Sequence, residues 1–412
     1  MARMKVVSAE ALATTLSALP GEPRVVCSGS MAAPGAGLEV VDGALERYTL
    51  HALNAAPGLP EREGVTLETC FVGGGQRRRP GLRYVPCRLS LVPLLFSSTL
   101  PPDVVLVHVA PPRDGMVSLG VETNIMPAVV EACRARGGLV VAAINPRMPY
   151  TFGDSQIPVE HIDLALEIDE PLTTPGEVPP LDEAGQVIGE RIAARIGDGA
   201  TLQTGIGAIP DAVLSRLGDR RGMRVWTEMF SDGVLALDRL GALDESEPIV
   251  SSFCFGSTEL YEWLDGNERV RMLRTERTND PGLIAQQPAM VSINSALEVD
   301  LFGQANASRI DARIHSGFGG QTDFIVGALH SKGGQSLIGL RSWHPKADVS
   351  TVVPLLDEPV TSFQQTAIVT EQGVAELLGR SEREQAAALI EQAAHPRVRE
   401  ELWDEARELG LA

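Results

Sequence analysis

At 412 residues, with 44% apolar and 22% charged residues, the chain is long enough for two hydrophobic cores and has neither a disordered nor a fibrous composition. Its formal charge of −19 excludes a broad nucleic-acid or anionic-membrane surface, since each needs a concentrated basic footprint. The five cysteines and seven histidines are dispersed without ligand spacing, so buried thiols are expected rather than a disulfide framework, and no catalytic metal.

In chain order, Arg3 and Lys5 are followed by Glu10 and Pro20, which interrupt any apolar core that a signal peptide would need. Arg24 to Cys27 reads as a buried strand. Gly73, Gly74 and Gly75 lead into Arg77, Arg78 and Arg79, a cationic cluster best read as a solvated loop. The most apolar stretch, Ser90 to Pro111, is broken by Pro93, Pro101, Pro102 and Asp103, so no membrane span is expected and the location reads as cytoplasmic. Val104 to Val109 and Gly138 to Ile144 read as strands joined by a helix over Val121 to Ala135, a parallel crossover unit.

Pro171, Pro175, Pro179 and Pro180 make the strongest linker, because proline denies both helix and central strand. The expected division is therefore residues 1–178 and 179–412. A helix follows from about Leu181 to Ile196, and the strand-then-helix rhythm resumes. The class is α/β, with two domains, each built on a mainly parallel sheet flanked by helices.

The densest chemical signal opens the second half. A strand from Ala200 runs into Gly205-Ile206-Gly207, and Pro210 is expected at the first helical position. Backbone N–H groups at such a turn approach an anionic oxygen unobstructed by Cβ, aided by the positive helix end; a plain, tightly packed βα turn explains the pattern equally well. Met223 to Gly233 then brings Glu228 to a second strand end, about 20 residues past the glycines, the spacing of a nicotinamide ribose contact. The third glycine of that fingerprint is replaced by Pro210, which leaves NAD-linked oxidoreduction a distant alternative. Ser292 to Gln304 reads as an alternating strand on which Glu298 and Asp300 are solvated or paired. His315 to Phe324 reads as a glycine loop opening a helix, and Ile368 to Leu377 as a strand ending in Thr-Glu before another helix.

Taken in order, these segments resemble the acetyl-CoA hydrolase/transferase family, which includes 4-hydroxybutyrate, succinate and acetate CoA-transferases. The likeness takes in Pro102 to Pro112, Val117 to Gly120, Asn145 to Pro149, Gly153 to Ser155, the Gly205 turn, Thr227 to Gly233, Asn294 to Gln304, Gly317 to Phe324 and Thr370 to Gly373. It implies two related α/β domains of the class I CoA-transferase fold, with Glu228 as the nucleophile that carries a glutamyl-CoA thioester. It also implies CoA-binding and oxyanion-stabilising roles for Gly205, Ile206, Gly207, Ala208, Ile209, Gly317, Gly319 and Gly320, with Arg341 as a CoA contact. Trp226, Asn279 and Glu371 fall at pocket positions. Two residues depart from the family pattern: Trp226 stands where His is common, and Ala208 where a further glycine is usual. The implied partners are acyl-CoA and short carboxylic acids, with coenzyme A as substrate and product, no permanently bound cofactor, and assembly as a homodimer or larger. The same constellation with a wetter site would make an acyl-CoA hydrolase.

Overall fold

The computed structural model describes residues 4–176, 181–205 and 207–412. By its own contacts the chain divides into two compact units, Met1–Gly176 with Ile249–Thr278, and Glu177–Pro248 with Asn279–Ala412. This differs from two successive domains by the excursion Ile249–Thr278, which returns to the first unit. The backbone N–H groups of Thr123 and Asn124 donate to the Ser252 carbonyl, Thr275 Oγ1 donates to Asn124 Oδ1 at 2.8 Å, and Arg271–Met272 pairs in parallel with Phe152–Gly153. Part of the proline-rich linker, residues 177–180, lies outside the described residues.

The first unit holds β1 (Lys5–Val6), β2 (Arg24–Cys27), β3 (Tyr48–Ala52), β4 (Val65–Thr69), β5 (Arg83–Tyr84), β6 (Val104–Val109), β7 (Leu139–Ile144) and β8 (Leu164–Glu167). They form one parallel sheet in the order β1-β8-β7-β6-β2-β3-β4-β5. Successive residues of a strand face opposite sides, and here both sides are apolar. Val105, Val107 and Val109 pack into one cluster, while Val104 and Leu106 pack into the other. Helix α1 (Met126–Ala135) covers the first face, but it starts five residues later than its sequence pattern suggests. Left-handed Gly120 and Asn124 (φ 61° and 41°) hold Val121 to Ile125 as a loop, and Pro127 suits the first helical turn. Four of the five cysteines are buried free thiols, and Cys87 is half-buried.

The second unit begins with α2 (Glu183–Ala193), capped by the Asp182 side chain, and continues with β9 (Thr201–Gln203), α3 (Ala208–Ser215) and β10 (Arg224–Trp226). Then come α4 (Pro281–Ala285), β11 (Met290–Ser295), α5 (Gln321–His330), β12 (Gln335–Gly339), β13 (Ala367–Val369) and β14 (Val374–Glu376). Their order is β14-β13-β12-β11-β9-β10, parallel except for the β13–β14 hairpin. That hairpin replaces the helix expected after Thr370-Glu371. A turn at Gln372-Gly373 reverses the chain, and a Cβ on Gly373 would meet the Gln392 carbonyl at 2.7 Å.

The units share a plan. In each, the first long central strand has its next strand on one side, after which the chain crosses to the other side. Each central strand also runs into a segment of similar sequence, Ser28-Gly29-Ser30-Met31-Ala32-Ala33-Pro34 after β2 and Thr204-Gly205-Ile206-Gly207-Ala208-Ile209-Pro210 after β9, although the following helix starts at Gly35 in the first and at Ala208 in the second. Crevices outside the carboxyl ends of strands at such reversals are where open α/β sheets bind ligands. No described helix is long and apolar enough to cross a membrane.

Candidate active site

The turn after β9 leaves open space beside its second glycine. Gly207 has φ +128°, a conformation that favours glycine, and nothing lies within 4 Å of where its Cβ would point. A Cβ on Gly205 would make only ordinary contacts, 3.8 Å to Pro210. Helix α3 starts at Ala208, so Pro210 is its third residue rather than its first. Ala208 is exposed and Ile209 half-buried, while Ile206 lies outside the described residues.

Thr227 ties this turn to the neighbouring strand end. Its buried hydroxyl accepts from Thr204 N–H at 3.2 Å and donates to the Met229 carbonyl at 2.8 Å, which fixes the backbone on either side of Glu228. Sequence reasoning passed over this residue, whose signal is its place in the Thr-Glu pair.

Glu228, half-buried, rests against the amino end of α5. Asn279 Nδ2 donates to its Oε2 at 2.9 Å. Gly320 caps α5 in an ordinary backbone conformation, so its need for glycine is spatial: a Cβ there would lie 1.9 Å from Glu228 Oε2 and 2.1 Å from Asn279 Nδ2. Gly319, at φ +55°, makes the preceding bend, and Gly317 is buried in the same loop. Burial raises the Glu228 pKa to about 7; the Asn279 hydrogen bond opposes the rise and the Asp323 charge adds to it.

Close helix packing brings Asn279 and Gly320 together. Helix α4 lies on α5 at Gly327, where a Cβ would meet Ile284 Cγ2 at 2.4 Å, and Ile284, Met290, Phe324 and Ala328 form the apolar cluster beneath. Trp226 packs against that cluster and so buttresses α5.

Arg341 and Glu371 stand elsewhere along the carboxyl edge of the sheet, after β12 and β13. Strand order puts three and four strand steps between them and β10, about 14 and 19 Å at the usual spacing. The Arg341 guanidinium grips Asp182, with Nη2 at 2.7 Å from Oδ1. Glu371 accepts from Ser342 N–H at 3.0 Å and from its hydroxyl, contacts that hold its carboxyl below the usual range despite partial burial. Glu298 accepts from Asn306 at 2.8 Å, and Asp300 caps a turn through Phe302 and Gln304 N–H. Those two carboxylates have structural partners. Among the described residues no cluster of three or more His, Cys, Asp or Glu is arranged to hold a metal.

In the first unit, Gly29 after β2 donates its N–H to Glu122 Oε1 at 3.1 Å. Glu122 is 1% exposed, and burial raises its pKa to about 7.

The chain resembles known proteins over most of its length. The acetyl-CoA hydrolase/transferase C-terminal domain model matches residues 256–406. The 4-hydroxybutyrate coenzyme A transferase of Clostridium kluyveri is 40% identical over 350 residues, covering 81% of this chain and 80% of the relative. Among solved structures, RipA from Yersinia pestis superposes with a TM-score of 0.91 at 28% identity, covering 99% of this chain and 98% of that one. A 4-hydroxybutyrate CoA-transferase from Porphyromonas gingivalis gives a TM-score of 0.83 at 33% identity, with 98% of each chain covered.

Proposed function

Because this chain belongs to the acetyl-CoA hydrolase/transferase family, we propose that it moves coenzyme A from an acyl-CoA to a short carboxylic acid through a covalent intermediate on Glu228. The carboxylate attacks the thioester carbonyl, the C–S bond breaks, and CoA thiolate leaves an acyl-glutamyl anhydride. The thiolate attacks the glutamyl carbonyl, releasing the first acid as its carboxylate and leaving glutamyl-CoA. A second acid reverses the two steps, so no net proton or water is consumed.

The observation that carries this reading is the setting of the Glu228 carboxyl, held by Asn279 against the α5 amino end beside an open glycine turn. A pKa near 7 leaves enough ionised carboxylate at neutral pH to attack without a separate base, and makes it a stronger nucleophile than a solvated glutamate. The turn at Gly205 to Ile209 and the loop at Gly317 to Gly320 supply donors for the oxyanions; losing one such donor costs about 10²- to 10³-fold in rate. Arg341, farther along the sheet edge, suits a distal part of a long anionic ligand such as CoA. Acetate, 4-hydroxybutyrate and similar acids are the acceptors in this reading.

The test is steady-state kinetics with acetyl-CoA and a panel of short acids. Transfer predicts ping-pong patterns and CoA exchange that Glu228→Ala abolishes, while Glu298→Ala retains them. Thiol release at the same rate without any acid would instead make the chain an acyl-CoA hydrolase.

A further inference from the structure

We propose that the indole of Trp343, with Arg397 and Lys346 as its cations, is the subsite for the phosphorylated adenosine end of an acyl-CoA. This rests on reading the chain as an acyl-CoA enzyme, and it assigns a place to the part of that substrate farthest from the thioester.

Trp343 opens a short hairpin, pairing with Ser350 while His344 pairs with Val349. Its Nε1 donates to Asp348 Oδ1 at 2.9 Å across the loop, and Ala347 N–H donates to His344 Nδ1 at 3.0 Å, so ring and loop are held in one arrangement. The His395 ring lies 5.0 Å from the indole, centroid to centroid, at 49°, and the Arg397 guanidinium carbon sits 5.4 Å from the indole centroid. Thr370, just after β13, donates its hydroxyl to the Ala393 carbonyl at 2.9 Å, which brings the segment carrying His395 and Arg397 to the carboxyl edge of the sheet. Trp343 is half-buried there, while Arg397 and Lys346 are exposed.

Arg341 and Arg195 hold Asp182 and Glu376, but Arg397 and Lys346 have no carboxylate partner among the described residues, in a chain with 54 acids against 35 lysines and arginines. Asp348 and Glu371, the acids next to Trp343 in the hairpin and on the neighbouring strand end, bind Trp343 Nε1 and Ser342 instead. An aromatic face beside two unpaired cations matches a ligand that joins a flat base to phosphates. Any base stacks on an indole, and a guanidinium over the ring adds to the layer. Arg397 breaks no ion pair in turning toward a phosphate, for which its planar fork is suited. The placement also fits. Trp343 follows Arg341 by two residues, and the end of β12 lies three strand steps, about 14 Å, from β10, so a long ligand on this edge runs from Glu228 past Arg341 to Trp343.

The experiment measures kcat/KM for acetyl-CoA relative to acetyl-pantetheine, which lacks the adenosine and its phosphates, in wild type, Trp343→Ala and Arg397→Gln. Wild type should prefer acetyl-CoA, and Trp343→Ala should cut that preference about tenfold, the scale of one base stacked on one aromatic ring. Arg397→Gln should cut it in the same direction. A preference left at its wild-type value in Trp343→Ala overturns the proposal, and an equal loss with both thioesters identifies the indole as structural. If Trp343→Ala does not fold, Trp343→Leu, which keeps apolar bulk without the flat face, takes its place. A wild type that turns over neither thioester refutes the functional reading alone. Adenosine 3′,5′-bisphosphate then tests the subsite by calorimetry, since its affinity should fall about tenfold in Trp343→Ala whatever reaction is catalysed, and equal affinity overturns the subsite. Weaker bisphosphate binding in Trp343→Ala with an unchanged preference between thioesters would mean a site for free nucleotide, and contradicts the assignment to acyl-CoA.

Discussion

Glu228 binds its proton more tightly than a solvated glutamate because the fold withdraws it from water, and two consequences follow at the scale of the residue. Reaction through the carboxylate should rise with pH through a midpoint near 7 and then level, and Asn279→Ala, by removing the hydrogen bond that favours ionisation, should move that midpoint upward. Stability has the opposite slope. A folded-state pKa above the unfolded value means that folding opposes ionisation, so this group's contribution falls as pH rises from about 4.5 to 7. Glu228→Gln should therefore gain stability relative to wild type across that window, in denaturant titrations at pH 4.5 and 8; a constant difference would contradict the shift. Glu228 stood out in the sequence as an acidic residue at a strand end about 20 residues past a Gly-x-Gly turn, while its role as nucleophile comes from the family resemblance alone.

At the scale of elements, the site depends on how closely α4 approaches α5. Gly327 allows that approach, and Gly327→Ala should cost about 1–3 kcal/mol as overpacking against Ile284, read as a lower thermal midpoint. It should also lower kcat, because Asn279 rides on the displaced segment. Gly320→Ala should be more severe for activity than for folding, since its methyl would occupy the space of the Glu228 carboxyl. Strands were readable from the sequence wherever both faces are apolar, as in Val104–Val109. Helix limits were less so: Asn124 in a left-handed conformation delays α1, and Thr370 to Leu377 forms a hairpin rather than opening a helix, neither of which an apolar pattern reveals. Trp226 has the same lesson, because its packing under α5 appears only once β10 and α5 are in place.

For the whole molecule, the parallel α/β class and the carboxyl-end placement of the chemistry follow from the alternation of strands and helices. The return of Ile249–Thr278 to the first unit does not, because its contacts with Asn124, Ser252 and Phe152 join residues far apart in the chain. The most direct test of the account is intact mass and peptide mapping after acetyl-CoA and then borohydride, which reduces a glutamyl thioester to the alcohol. A loss of about 14 Da at Glu228, absent in Glu228→Ala, is the predicted result. An unmodified Glu228 after acetyl-, propionyl- and succinyl-CoA, in a preparation that still turns over these substrates, would contradict covalent catalysis at this residue.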